Sequence, residues 1–113
     1  MPIPADQMAR AAALLVARED KVPPEVRDML KLCHRTEGNS ILLFEFRSSL
    51  MRPGPWHEEM VAKFTYVKNR KCWRLFWMRS DLKWHSYHGL PVARTFGELF
   101  HEVDTDPLCC FFG

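Results

Sequence analysis

Glu59-Met-Val-Ala-Lys-Phe-Thr-Tyr-Val-Lys68, the polar link Asn69-Arg-Lys71, and Cys72-Trp-Arg-Leu-Phe-Trp-Met78 together decide the fold. The first run alternates as successive side chains of a strand do. Met60, Ala62, Phe64 and Tyr66 fall on one face, and Val61, Lys63, Thr65 and Val67 on the other. Aromatic and β-branched residues fill both runs, which suits a pleated, half-buried surface. A link this short cannot hold a crossover, so the two strands are antiparallel neighbours.

Outward from this hairpin the same period continues. Ser40-Ile-Leu-Leu-Phe-Glu-Phe-Arg-Ser48 reads as a preceding strand, and Pro53-Gly54-Pro55 places a connecting loop over Met51–Trp56. Ser80-Asp81 turns the chain into a last strand, Leu82-Lys-Trp-His-Ser-Tyr-His88, which completes a four-stranded antiparallel meander. Gly89–Arg94 is a loop. Thr95 and Glu98 then form a capping box ahead of Phe96, Leu99, Phe100 and Val103, a helix ending near Asp104. The tail, with Pro107 and Leu-Cys-Cys-Phe-Phe, is too apolar to be solvated and is expected to pack back.

On the N-terminal side, Asp6 is the expected N-cap of a helix running to about Arg18, with Met8, Ala11, Ala12, Leu15 and Val16 at helical spacing. Pro24 suits the first turn of a second helix whose stripe is Val26, Met29, Leu30 and Cys33, closed by Gly38-Asn39. The expected fold class is therefore α+β: two N-terminal helices, a four-stranded meander, and a C-terminal helix packed on one face of the sheet. It forms one domain over 1–113, helical over 1–36, with sheet, helix and tail over 37–113.

Composition agrees with a globular chain. Of 113 residues, 47% are hydrophobic and 27% charged, so a core is feasible without covalent staples. No apolar run is long enough to cross a membrane, and no basic region precedes an apolar one at the N-terminus. A cytoplasmic location is expected, with Cys33, Cys72, Cys109 and Cys110 as thiols. The net charge of +2 argues by itself for neither nucleic acid nor a membrane surface.

Several stretches resemble a bacterial family known as domain of unknown function 3024. They are Glu45-Phe-Arg47, Ala62-Lys-Phe64, Trp73-Arg-Leu-Phe-Trp77, Lys83-Trp-His-Ser-Tyr87, Asp104-Thr-Asp-Pro107 and Phe112-Gly113, with Val22-Pro-Pro-Glu-Val-Arg27 nearer the N-terminus. The likeness covers most of the chain and is weakest over the first twenty or so residues. It implies no activity, because the family's name states what is known of one. Members tend to carry Pro where this chain has Ser48.

Alternation sorts the strands into two faces. An apolar wall is expected from Leu42, Phe44 and Phe46, with Met60, Ala62, Phe64 and Tyr66, then Trp73, Leu75 and Trp77, then Leu82 and Trp84. The opposite face collects Glu45, Arg47, Lys63, Thr65, Arg74, Phe76, Lys83, His85 and Tyr87. Cations interleaved with aromatic rings on an open sheet suit stacked bases and phosphates. The plainer alternative is a solvated face with cross-strand charge pairs such as Glu45 beside Lys63 or Arg74.

Catalytic and metal patterns are sparse. There is no Cys-x2-Cys, His-x3-His, glycine-rich phosphate loop or nucleophile elbow, and no cofactor is expected. His101, Glu102, Asp104 and Asp106 could gather a cation, but a helix end and a turn explain them equally well. Cys72 with His85 is the conceivable nucleophile and base. Phe111-Phe112-Gly113 is either core or a docking peptide.

The expected function is a non-enzymatic binding module for a protein or nucleic-acid partner, with Arg47, Lys63, Arg74, Phe76, Lys83, His85 and Tyr87 as binding residues. The alternatives are a single-stranded nucleic-acid binder, or a toxin-like ribonuclease in which His85, Arg74 and Lys63 act on a phosphodiester; only fold analogy supports the latter. The residues do not set the oligomeric state, although an edge strand offers pairing groups.

Overall fold

A computed structural model describes residues 2–48 and 56–112. Helix α1 spans Ala5–Glu19 and helix α2 spans Phe96–Thr105. The strands are β1 (Leu30–Glu37), β2 (Ser40–Arg47), β3 (His57–Val67), β4 (Cys72–Met78), β5 (Trp84–Ser86) and β6 (Val92–Ala93). They form one antiparallel sheet in the order β1-β2-β3-β4-β5, and β6 pairs with the first half of β4. The chain is α+β with a C-terminal helix, but the helical and strand counts differ from expectation.

The second N-terminal helix does not form. Pro24–Val26 makes a single 3-10 turn, and the residues from Leu30 onward join the sheet as β1. Val26, Met29, Leu30 and Cys33 have helical spacing, yet Leu30 and Leu32 alternate just as well. A two-residue turn at Gly38-Asn39, with Gly38 at φ 60°, folds β1 onto β2 so that Glu37 faces Ser40 and Leu30 faces Arg47. Eight residues gain ladder hydrogen bonds that an isolated short helix could not match. The sheet therefore begins at residue 30, inside the segment expected to be helical.

Elsewhere the agreement is closer. β4 has the expected limits, and β2 and β3 differ from expectation by one or two residues at their ends. β5 is shorter than expected, and the expected 89–94 loop contains β6. The connection expected over Met51–Trp56 lies outside the described residues except for Trp56. The N-cap of α1 is Pro4 rather than Asp6, whose carboxylate sits in the first turn near the positive helix end. At α2 the Thr95 half of the expected capping box forms, Oγ1 accepting from the Glu98 amide at 3.2 Å, while among the described residues the Glu98 carboxylate makes no return bond to the Thr95 amide.

Both helices lie on one face of the sheet. Ala11 and Leu15 of α1 and Phe96, Leu99 and Val103 of α2 pack with Ile41, Leu43, Phe64, Trp73 and Leu75. Phe96 joins the layers, 4.6 Å from the Phe64 ring centroid and 5.3 Å from that of Trp73. Arg18 on α1 reaches Asp104 on α2 at 2.7 Å.

The tail packs back through Asp106, which ends α2 in the left-handed conformation at φ 46°. Its carboxylate accepts from the amides of Phe111 and Phe112 at 3.1 and 2.8 Å. Phe111 is buried 4.8 Å from the Tyr87 ring, so this ring belongs to the core. Phe112 stays exposed under Arg18. Gly113 lies outside the described residues.

Three local events reset which side chains face the helices. In β2 it is Ile41 and Leu43 that enter the core, while Leu42 and Phe44 face away, the reverse of the expected parity. Four consecutive apolar residues carry no period-two signal, so the sequence left that choice open. In β3, Leu43 faces Ala62 and Phe44 faces Met60, leaving Val61 as a bulge. Val61 and Ala62 both enter the core, and Met60 turns to the other face. Before β5, Leu82 takes φ 62° and is left 78% exposed, so the expected parity of Trp84, His85 and Tyr87 inverts.

Candidate functional site

No described helix covers the second face of the sheet. Strand register lays its side chains in rows, because residues opposite each other in a ladder share a face. One row runs Arg35, Leu42, Lys63, Phe76, Ser86. The next, nearer the turns, runs Glu37, Ser40, Thr65, Arg74, Val92. Cys33, Phe44 and Met60 form another row, and Trp84 stands opposite Met78.

Apolar residues floor this face and long cations roof it. Leu42 and Phe44 are buried although no helix reaches them. The Arg35 guanidinium lies 5.0 Å from the Phe44 ring centroid, and Lys31 lies 5.5 Å from that of Trp56. Lys63 and Arg74 share the Phe76 ring at 5.3 and 4.9 Å. Each contact is weak where water reaches the cation, and the aliphatic stems cover apolar surface as well.

Charge divides the sheet in two. On the β1 side three basic side chains have carboxylate partners: Arg35 with Glu58 at 2.8 Å, Arg47 with Glu45 and Glu59 at 3.6 Å, His57 with Glu59 at 3.3 Å. The Glu58 carboxylate raises the Arg35 pKa further. On the β3–β4 side, Lys63, Lys68, Arg70, Lys71 and Arg74 make no ion pair among the described residues. Between Glu59 and Asp81 the chain carries six of its 16 Lys and Arg and none of its 14 Asp and Glu. Beside the 68–71 turn a cavity of about 880 Å³ opens, lined by Asn39, Thr65, Lys68, Asn69, Lys71 and Arg74 among others. Lys71 holds φ 49°, a conformation that side chains with a Cβ rarely adopt.

The expected site residues separate. Lys63, Arg74 and Phe76 are together on the open face. Arg47 is on the helix side, bound to Glu45, so the expected pairing of Glu45 with Lys63 or Arg74 is not made. His85 faces the same side as Trp77 and bonds Asp81 at 2.8 Å. The Asp81 carboxyl is held below the usual carboxylate range by the Lys83 amide first and His85 second. Lys83 is exposed in the turn at the opposite end of β4 from 68–71. Tyr87 is fully buried and donates to Glu102 at 2.8 Å. Burial first, and the neighbouring carboxylate second, push its phenol well above the usual range.

Catalytic groupings suggested by the sequence are likewise not assembled. His85 lies across the sheet from Lys63 and Arg74. Cys72 and His85 lie at opposite ends of β4 and on opposite faces. Glu102 serves Tyr87, Asp104 serves Arg18, and Asp106 holds the tail. No three His, Cys, Asp or Glu residues lie close enough to hold a metal ion among the described residues. All four cysteines are free thiols.

A model of the family described as domain of unknown function, DUF3024, matches residues 3–113. The chain belongs to the DUF3024 family. No curated protein matches this DUF3024 chain, and no solved structure does. Among the described residues no helix is long and apolar enough to cross a membrane. Sequence reasoning missed the turn cations Lys68, Arg70 and Lys71, for which the carboxylate-free run between Glu59 and Asp81 was the available signal. It also missed Arg35, because β1 reads as a helix, and the open-face position of Trp84, because the parity of β5 inverts.

Proposed function

We propose that this DUF3024 chain is a non-enzymatic binding module that takes an anionic partner on the β3–β4 half of its open sheet face. The observation that carries the reading is the group Lys63, Lys68, Arg70, Lys71 and Arg74, exposed or half-buried and without an ion-pair partner among the described residues. Clustered cations of one sign cost folding free energy through mutual repulsion and repay it when an anion arrives. Lys63 and Arg74 are positioned by their shared Phe76 ring, so the surface is partly ordered before binding.

A column of immobilised sulfated polysaccharide tests this. The wild-type protein is expected to elute at clearly higher salt than the Lys63→Gln/Arg74→Gln double variant, with the Arg35→Gln/Glu58→Gln double variant eluting near wild type because that pair carries no net charge. Equal elution of wild type and the Lys63→Gln/Arg74→Gln variant removes the reading.

A further inference from the structure

We infer that the anionic partner is a single-stranded nucleic acid, with phosphates on the 68–71 turn, Arg74 and Lys63, and bases against Phe76 and Trp84. The inference rests on the anion-binding reading above and names its ligand class.

Cations alone would suit any polyanion, so the aromatic groups make the distinction. Phe76 and Trp84 are half-buried and face the same open side as Lys63 and Arg74. Trp84 shares a small hollow with Leu42 and Lys63, closed by Glu37, which Arg35 holds at 3.6 Å. The path from the turn to this hollow passes from cations to rings within two rows of the sheet. A base has a π-face for the rings and for a guanidinium plane, while its phosphate meets the neighbouring ammonium. An acidic polypeptide would satisfy the cations and leave Phe76 and Trp84 without a matching surface. A duplex keeps its bases stacked and offers these rings nothing.

The turn backbone supplies an independent observation. Lys71 occupies a left-handed position that glycine fills at lower cost, beside the cavity at the sheet end. A charged side chain kept at a conformationally costly position is accounted for when that charge contacts the ligand. Lys71→Gly should therefore melt higher and bind more weakly.

Fluorescence titrations at low salt with single-stranded RNA and DNA oligonucleotides of about 12 nucleotides test the inference. Inorganic polyphosphate, polyglutamate and the matching duplex serve as comparisons. Both single strands are expected to bind and quench tryptophan emission, the quenching surviving Trp77→Phe and vanishing in Trp84→Phe. Polyphosphate should bind more weakly by roughly five- to a hundred-fold per stacked base, without quenching. Phe76→Leu should weaken oligonucleotides more than polyphosphate, which loses only the ordering of Lys63 and Arg74. Removing one contacting cation should lower the slope of log K against log salt by about 0.7.

Polyglutamate or duplex binding at least as tightly as the single strands overturns the inference while the anion-binding reading stands. The same holds if polyphosphate matches the oligonucleotides and no quenching occurs. Absence of binding to every polyanion overturns both.

Discussion

Phe64 and Phe76 stand on adjacent strands of one sheet and on its two opposite faces. Phe64 is fully buried between the sheet and α2, against Phe96 and Phe100. Phe76 is half-buried, and what covers it is Lys63 and Arg74. Rings close to each other in the sheet thus meet different surroundings: one is sealed by hydrocarbon, the other by charge that water and ligands can reach. Stability is concentrated on the first face and accessible chemistry on the second.

Substitution should separate the faces. Phe64→Ala should cost about 3–5 kcal/mol, as large core truncations do, whereas Phe76→Ala should cost about 1–2 kcal/mol, its lost cation–π contacts and partial burial together. Urea unfolding of both variants measures the gap, and equal costs would break the comparison.

Gly89→Ala probes the rigidity of the covered face from its rim. A Cβ at that position falls 2.7 Å from the Tyr87 ring, and Tyr87 is fully buried and cannot step aside freely. A loss of about 1–3 kcal/mol is expected in thermal unfolding. The tolerance of a surface loop would instead mean that the ring is mobile.

Tyr87 also gives the covered face a pH signature. Its phenol titrates higher in the fold than its ordinary value near 10, so the fold favours the protonated form. That contribution is complete below pH 10 and is lost as pH rises above 10 toward the folded value. Tyr87→Phe should cost about 1 kcal/mol at neutral pH through the lost bond to Glu102, and should flatten the alkaline decline. Melting curves from pH 7 upward would show it.

The smallest expected effect belongs to the open side. Lys71→Gly should raise stability by about 0.5–1 kcal/mol by relieving the left-handed backbone. A stabilised variant with weaker polyanion binding sharpens the division between the faces; a destabilised one shows that the Lys71 side chain supports the fold.

What the sequence disclosed depended on local redundancy. The β3–β4 hairpin was legible because alternation, turn chemistry and β-propensity agreed from Phe64 to Met78. So was α2, where Thr95 caps a clean apolar stripe. β1 was hidden because Leu30–Cys33 fits both periods, and only its pairing with β2 through Gly38-Asn39 chooses between them. Ile41-Leu-Leu-Phe44 gave no parity, since one face is buried by helices and the other by cation stems. Of the site, Lys63, Arg74 and Phe76 were recoverable because they lie in the unambiguous hairpin. Tyr87 and His85 were misplaced by the left-handed Leu82, a backbone event without a composition signal. Arg47 followed the misread parity of β2.

The bulge at Val61 acts on β3 as a phase shift acts on a wave. Met60 and Lys63 are an odd number of positions apart, so a regular strand would send them to opposite faces. The extra residue brings both to the open face, Met60 against Phe44 and Lys63 against Leu42. The two segments of β3 are thus held out of step by one residue, and deleting Val61 would bring them back into step. Met60 and Lys63 would then lie two positions apart on a regular strand, both still on the open face. Straightening the bulge with Val61 kept would instead force either the carboxylates that partner Arg35 and Arg47 or the cations around Phe76 to change sides.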